Sequence, residues 1–202
     1  MKTKSEYNIK LVNRTGAKNE IKQLPIDQTN VGLGCRLDPD WNQKHESAFR
    51  LEQCKRIQGR VSTASLTFEE AYQYLLTRVV PVVCYAAAVT DIPQKVCRKM
   101  NKYIDSVMLP KIGLNRHTPK AVVYGPMKLG GLNYPQFKTL QTAKSITYLL
   151  KQMRWNWDMA TAIRVNLEMT HLMSGMEESI LEQTGRTIDY LPESWVLTIQ
   201  KN

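Results

Sequence analysis

No stretch of this chain reaches the ~18 consecutive apolar residues of a membrane span. Its start, Met1 to Lys10, is Lys-rich and polar, without the apolar segment of a secretory signal. Cysteine is scarce as well. Cys35, Cys54, Cys84 and Cys97 are scattered, with no CxxC pair and no histidine at zinc-finger spacing, so the sequence carries no zinc-finger pattern. They are expected as reduced core thiols in an intracellular protein, cytoplasmic or nuclear, with no membrane partner.

Recognisable catalytic apparatus is lacking too. His45, His117 and His171 lie far apart, and no HExxH, nucleophile elbow or P-loop organises chemistry around them. Gly32-Leu33-Gly34 lacks the rest of a dinucleotide fingerprint, and Gly125-Pro126 with Gly130-Gly131 makes a turn and not a Walker loop. Asp38-Pro39-Asp40 offers two carboxylates of the kind that hold magnesium, but the spacing suits a tight turn better, with Pro39 fixing φ and Asp40 near a helix cap. The expectation is no catalytic residue, no metal site and no cofactor.

Acidic residues are the last shortage. Eighteen Asp and Glu face 28 Lys and Arg, a formal charge of +10. A surplus of that size favours a polyanionic partner, because cations set against phosphates release condensed counterions. What the chain does have is ordinary globular composition, 43% hydrophobic and 23% charged over 202 residues, so a folded body with a proper core is expected. No repeat, low-complexity run or Gly/Ser linker divides it.

Along the chain, Tyr7 to Asn13, Glu20 to Ile26 and Val31 to Leu37 have β-rich composition interrupted by Arg14-Thr15-Gly16 and Asp38-Pro39-Asp40. This predicts a small antiparallel sheet fragment, which needs the helices or the rest of a sheet to pack on. From Asn42 the period becomes helical, with Leu51, Cys54, Ile57 and Val61 three or four apart and Gly59 weakening the end. Thr67-Phe68-Glu69-Glu70 has capping-box spacing. The helix it starts is predicted to run toward Ala88, kinked or split by Pro81, whose nitrogen carries no hydrogen. After a loop-rich stretch to Asn133, helices are predicted from Pro135 to about Trp155, over Trp157 to Leu172 and over Glu177 to Thr184, with Gly175 and Gly185 as stops.

The helix predicted to start near Pro93 is the most informative. Placed at about 100° per residue, Val96, Met100, Tyr103, Ile104 and Val107 share one arc, and Lys95, Arg98, Lys99 and Lys102 share the opposite one. Lys111, Arg116, Lys120 and Lys128 continue the positive run, and only Asp105 offsets it. A solvated helix face usually mixes signs, so the near-absence of acid from Lys95 to Lys128 points to a phosphate-tracking surface. Tyr103 and Tyr124 could stack on bases, although core packing is the commoner fate of a tyrosine.

The run Val31-Gly32-Leu33-Gly34-Cys35-Arg36-Leu37-Asp38-Pro39-Asp40 resembles the strand and turn that follow the polymerase palm in non-LTR-type retrotransposon reverse transcriptases of the kind common in algal genomes. Leu109-Pro110-Lys111-Ile112-Gly113-Leu114-Asn115-Arg116, Pro119 to Pro126 and Leu129-Gly130-Gly131-Leu132 follow in the family's order. The likeness covers about Val31 to Leu150. It implies the post-palm part of such an enzyme, with a primer-grip-like hairpin at Leu33, Gly34 and Arg36 and then a helical thumb or connection region that holds template-primer duplex. The paired palm aspartates of the family are absent from this sequence, so two-metal catalysis has no ligands here, and magnesium belongs only to a complete parent polymerase.

The fold expected is therefore mainly α, with a small N-terminal antiparallel β-hairpin or sheet fragment. It divides into a β-rich end of a truncated palm (1–40), a basic helical thumb-like region (41–135) and a C-terminal helical region (136–202). The function expected is grip on RNA–DNA hybrid, RNA or DNA through the backbone, with a palm-containing polypeptide as a second partner and no polymerase activity by the chain alone. The alternative is a helical interaction or structural module, or a retroelement remnant without function, in which Trp155, Trp157 and Trp195 serve packing or a partner surface.

Overall fold

The computed structural model describes residues 10–12, 16, 18–20, 29–38, 42–115, 117–155, 157–182, 188, 190–191 and 194–201. Over these the protein is mainly helical, with two small antiparallel hairpins at its N-terminal end. Strand β1 (Lys10–Val12) pairs with β2 (Lys18–Glu20), Lys10 opposite Glu20. Strand β3 (Asn30–Gly32) pairs with β4 (Cys35–Leu37), Val31 opposite Arg36. The rest of the strands expected over Tyr7 to Asn13 and Glu20 to Ile26 lies outside the described residues, as do Pro39 and Asp40.

Val31 to Leu37, one β-rich stretch by composition and a hairpin at Leu33, Gly34 and Arg36 by the resemblance, is a complete hairpin. Leu33 and Gly34 turn it with φ of 49° and 83°. Positive φ at both central positions matches the twist of the flanking strands. Glycine adopts it freely, whereas leucine is strained there, so Leu33 must be held in place from outside the turn.

Helix α1 (Lys44–Thr63) buries Cys54, Ile57 and Val61 at the predicted spacing. Helix α2 (Phe68–Tyr74) starts with the predicted capping box, the Thr67 hydroxyl accepting from the Glu70 amide and the Glu70 carboxylate from the Thr67 amide. Pro81 then acts upstream of itself. The chain widens into a π-turn over Leu75–Val79 before closing as the short α3 (Val80–Val83). Widening relieves the collision between the proline ring and the carbonyl four residues back. The helix ends there and not near Ala88, and residues 84–89 form successive turns.

Helix α4 (Gln94–Lys111) lies on the same core, burying Cys97, Met100, Ile104 and Met108. It keeps Pro110 in its last turn, a residue expected in the loop beyond. Three contacts advance in step along α1 and α4. The Lys55 ammonium is 6.0 Å from the Tyr103 ring centre, the Gln58 amide donates to the Ser106 hydroxyl at 3.0 Å, and Lys111 Nζ donates to the Ala64 carbonyl at 2.5 Å. The two helices therefore run parallel and in direct contact, with α2 packed on α4 and α3 on α1.

The loop-rich stretch after α4 contains α5 (Lys120–Tyr124) and a 3-10 turn (Met127–Leu129). Helix α6 (Phe137–Arg154) begins two residues after Pro135, which therefore precedes the helix and does not open it. Its direction opposes α4, since the Phe137 amide donates to Asn101 while Gln141, one turn on, meets Cys97. Helix α7 (Asp158–Ser174) ends where expected, at Gly175 in the left-handed conformation. The helix expected over Glu177 to Thr184 does not form over its described part, where residues 177–182 hold bends and turns; Gln183, Thr184 and the expected stop Gly185 lie outside the described residues. A short α8 (Trp195–Lys201) that sequence reading missed closes the chain.

Helix α6 also finishes what the broken α3 leaves open. Turn carbonyls past a helix end need donors. Lys144, Ser145 and Gln141 donate to the carbonyls of Cys84, Ala87 and Thr90, and the Trp195 indole of α8 donates to Ala88. Trp195 is thus a packing residue, set edge-on to Tyr148.

Candidate nucleic-acid interface

The α4 surface is built as its sequence pattern predicts. The apolar arc faces α1, α2 and α6, and Lys95, Arg98, Lys99 and Lys102 are all exposed on the other side. Among the described residues none of the four pairs with a carboxylate. Four unneutralised cations on one helical face cover about 10 Å of helix axis at ~1.5 Å per residue, a length that spans more than one phosphate of a nucleic-acid strand.

The remaining basic candidates divide. Lys120 and Lys128 are exposed. Lys120 lies close enough to Asp105 of α4 to favour that carboxylate's charge, which puts α5 on the flank of the rail. Lys111 is half-buried, and its ammonium caps the end of α1 through Ala64. Arg116 lies outside the described residues. Sequence reasoning missed Lys55, which the parallel packing of α1 and α4 brings beside Tyr103. Nothing local announces it, since the pairing depends on tertiary contact.

Among the described residues Asp105 is the one acid of α4, and it is largely withdrawn from solvent. The Tyr124 hydroxyl donates to it at 2.5 Å. Burial pushes its carboxyl up to about 6, against the opposing pull of the Tyr124 bond and the Lys120 charge. Burial and the same carboxylate push the Tyr124 phenol well above its ordinary value. Tyr134 is buried beside them, packed edge-on to Tyr124. Tyr103 packs half-buried against the core and Tyr124 is bound to Asp105, so neither ring stands open for stacking.

The three hairpin candidates have different surroundings. Leu33, at the turn, is 93% exposed. Its carbonyl accepts from the Tyr85 hydroxyl at 2.8 Å. The Gly34 carbonyl accepts from Arg50 Nη2 at 3.2 Å, and Arg36 lays its guanidinium 3.5 Å over the Phe49 ring while its amide donates to Glu46. Arg50 also reaches the Val82 carbonyl. Two buried charges thus lock the hairpin onto α1 and α3, which accounts for the strained leucine.

The four cysteines are free and buried. Burial raises the thiols of Cys54 to about 12 and of Cys84 and Cys97 to about 11, which makes them poor nucleophiles. Among the described residues no three His, Cys, Asp or Glu are placed to hold a metal ion, and no helix is long and apolar enough to cross a membrane. No known protein family, curated protein or solved structure matches the chain.

Proposed function

We propose that this chain is a nucleic-acid-binding element of the retrotransposon reverse-transcriptase type, without palm carboxylates, which grips template-primer duplex by backbone electrostatics. The observation that carries the reading is the α4 rail: Lys95, Arg98, Lys99 and Lys102 exposed together, free of carboxylate partners among the described residues, on a protein of charge +10. Backbone contact of this sort discriminates little between sequences, so RNA–DNA hybrid, RNA and DNA are all ligands in this reading. Leu33 is the hairpin residue open to such a ligand, and Arg36, engaged with Phe49, is a support. A palm-containing polypeptide is the second partner, and the chain alone extends no primer.

The test is fluorescence anisotropy of a labelled RNA–DNA hybrid titrated with the chain from ~50 to ~200 mM salt. Four phosphate contacts predict a loss of affinity on the order of a hundredfold across that range. Replacing the four rail residues by Gln should weaken binding to every sequence and flatten the salt slope by about 3 to 4, with the circular-dichroism spectrum unchanged. Binding that the quadruple variant retains in full would remove the rail from the reading. No binding by the folded native chain would remove the nucleic acid.

A further inference from the structure

Helix α7 presents a second seam that none of the described residues covers. One face packs Ala160, Ile163 and Ser174 inward. The opposite face carries Ala162, Val165, Met169 and Leu172, spaced three, four and three residues apart, which is the a/d repeat of a coiled-coil seam. All four are exposed, Met169 at 61% and Leu172 at 79%. Met159 and Met173, each about half exposed, flank the seam. A helix apolar on both faces is normally buried on both.

We infer that α7 is the contact through which two copies of this chain associate, as an antiparallel pair of α7 helices about a two-fold axis. The seam is self-complementary in that arrangement. Antiparallel coils set a positions against d positions, and pairing Val165 with Met169 of the second copy also sets the small Ala162 against the large Leu172. Each pairing occurs twice, as an isologous interface requires. The five large side chains together expose on the order of 500 Å² of apolar surface, at the upper end for a single patch on a monomer and a large part of the roughly 800 Å² that each partner gives a standard interface. The helix is already folded on α6, so association does not have to order it. This seam faces away from the α7 core, and its use does not depend on nucleic acid.

The experiment is sedimentation equilibrium of the full chain between ~1 and ~100 μM, without nucleic acid, a range that spans affinities typical of modest interfaces. A monomer–dimer equilibrium is expected, with at least a tenfold weaker association in V165E/M169E and also in the single variant M169R, each with unchanged helix content. Orientation is read by oxidation: A162C/L172C should form a chain-to-chain crosslink that neither single cysteine forms, the native thiols being buried. A monomer throughout the range overturns the inference. So does a dimer undisturbed by the folded M169R variant, which places the contact elsewhere, and so does crosslinking by A162C alone, which requires a parallel pair. Association seen only when a hybrid duplex is added would make the ligand, and not α7, the bridge.

Discussion

Glu46 and Arg50 meet at 2.6 Å one turn apart on α1, with side chains only 0% and 4% exposed. Neither faces water, as charges at that spacing usually do. The second oxygen of Glu46 accepts from the Arg36 amide, and Arg50 donates once from each Nη, to the Gly34 and Val82 carbonyls. A helix pair has become the joint between a hairpin and two helices.

Breaking that joint from one side should be severe. Replacing Arg50 by Met leaves Glu46 buried without its cation, and losses of roughly 3 to 5 kcal/mol are usual for such a change. Urea unfolding measures it. The double variant E46L/R50M should be less unstable than the sum of its singles, because the second change removes the orphaned charge. Strict additivity would mean that the pair acts as two independent packing residues.

The turn between α5 and α6 should be as intolerant at Gly131, where the chain crosses itself. Gly131 crosses Gly125 so closely that a Cβ on Gly131 would overlap the Gly125 carbonyl and its neighbouring backbone. Backbone has nowhere to retreat here, since the Asn133 amide also donates to that carbonyl and the Leu132 amide to Val122. Gly131→Ala should lower stability by about 2 to 4 kcal/mol, in the range of strained or overpacked sites. Gly130→Ala meets open space and suffers only from its left-handed φ of 79°, at a cost of about 1 kcal/mol. Thermal melts of the two variants should separate clearly.

What could be read from sequence was local. The Thr67–Glu70 box needs four residues, and the segregation of charge on α4 needs eighteen, all contiguous. Composition could not mark Leu33 as a turn residue, because leucine signals strand and its strain is carried by Tyr85, 52 residues away; only the resemblance put a hairpin there. Burial of Glu46 and Arg50 was equally hidden, since an i,i+4 pair of opposite charge is the pattern of a solvent-facing helix. Helix α8 was missed although a start signal exists, the Ser194 hydroxyl accepting from the Leu197 amide. Seven residues give too short a period to recognise.

Lys111 illustrates the same limit within the basic surface. Its sequence neighbours place it with the rail, yet its ammonium serves the Ala64 carbonyl 47 residues earlier. Lys111→Gln should therefore lower stability by about 1 to 2 kcal/mol, as for a bond to a charged donor, while leaving the salt slope of hybrid binding as it is in the native chain. Lys102→Gln should do the reverse. If the two variants change the slope equally, Lys111 leaves its cap to meet phosphate.

Asp105 gives the fold a pH dependence of predictable sign. Its folded carboxyl titrates at about 6, against an ordinary value of 3.8, because burial disfavours its charge. The folded protein thus holds this proton more tightly than the unfolded chain. The contribution is complete at pH below about 4 and is lost as pH rises through 6, a span of up to about 3 kcal/mol at 1.36 kcal/mol per unit. Asp105→Asn removes the titration and keeps an oxygen for the Tyr124 hydroxyl. Urea unfolding at pH 4.5, 6.0 and 7.5 should show the variant gaining on the native protein as pH rises, and exceeding it at pH 7.5. Parallel curves for the two proteins would mean that Lys120 and the tyrosines already hold the carboxylate charged through this range. In that case Asp105 would cancel one positive charge of the rail at every pH where the rail binds.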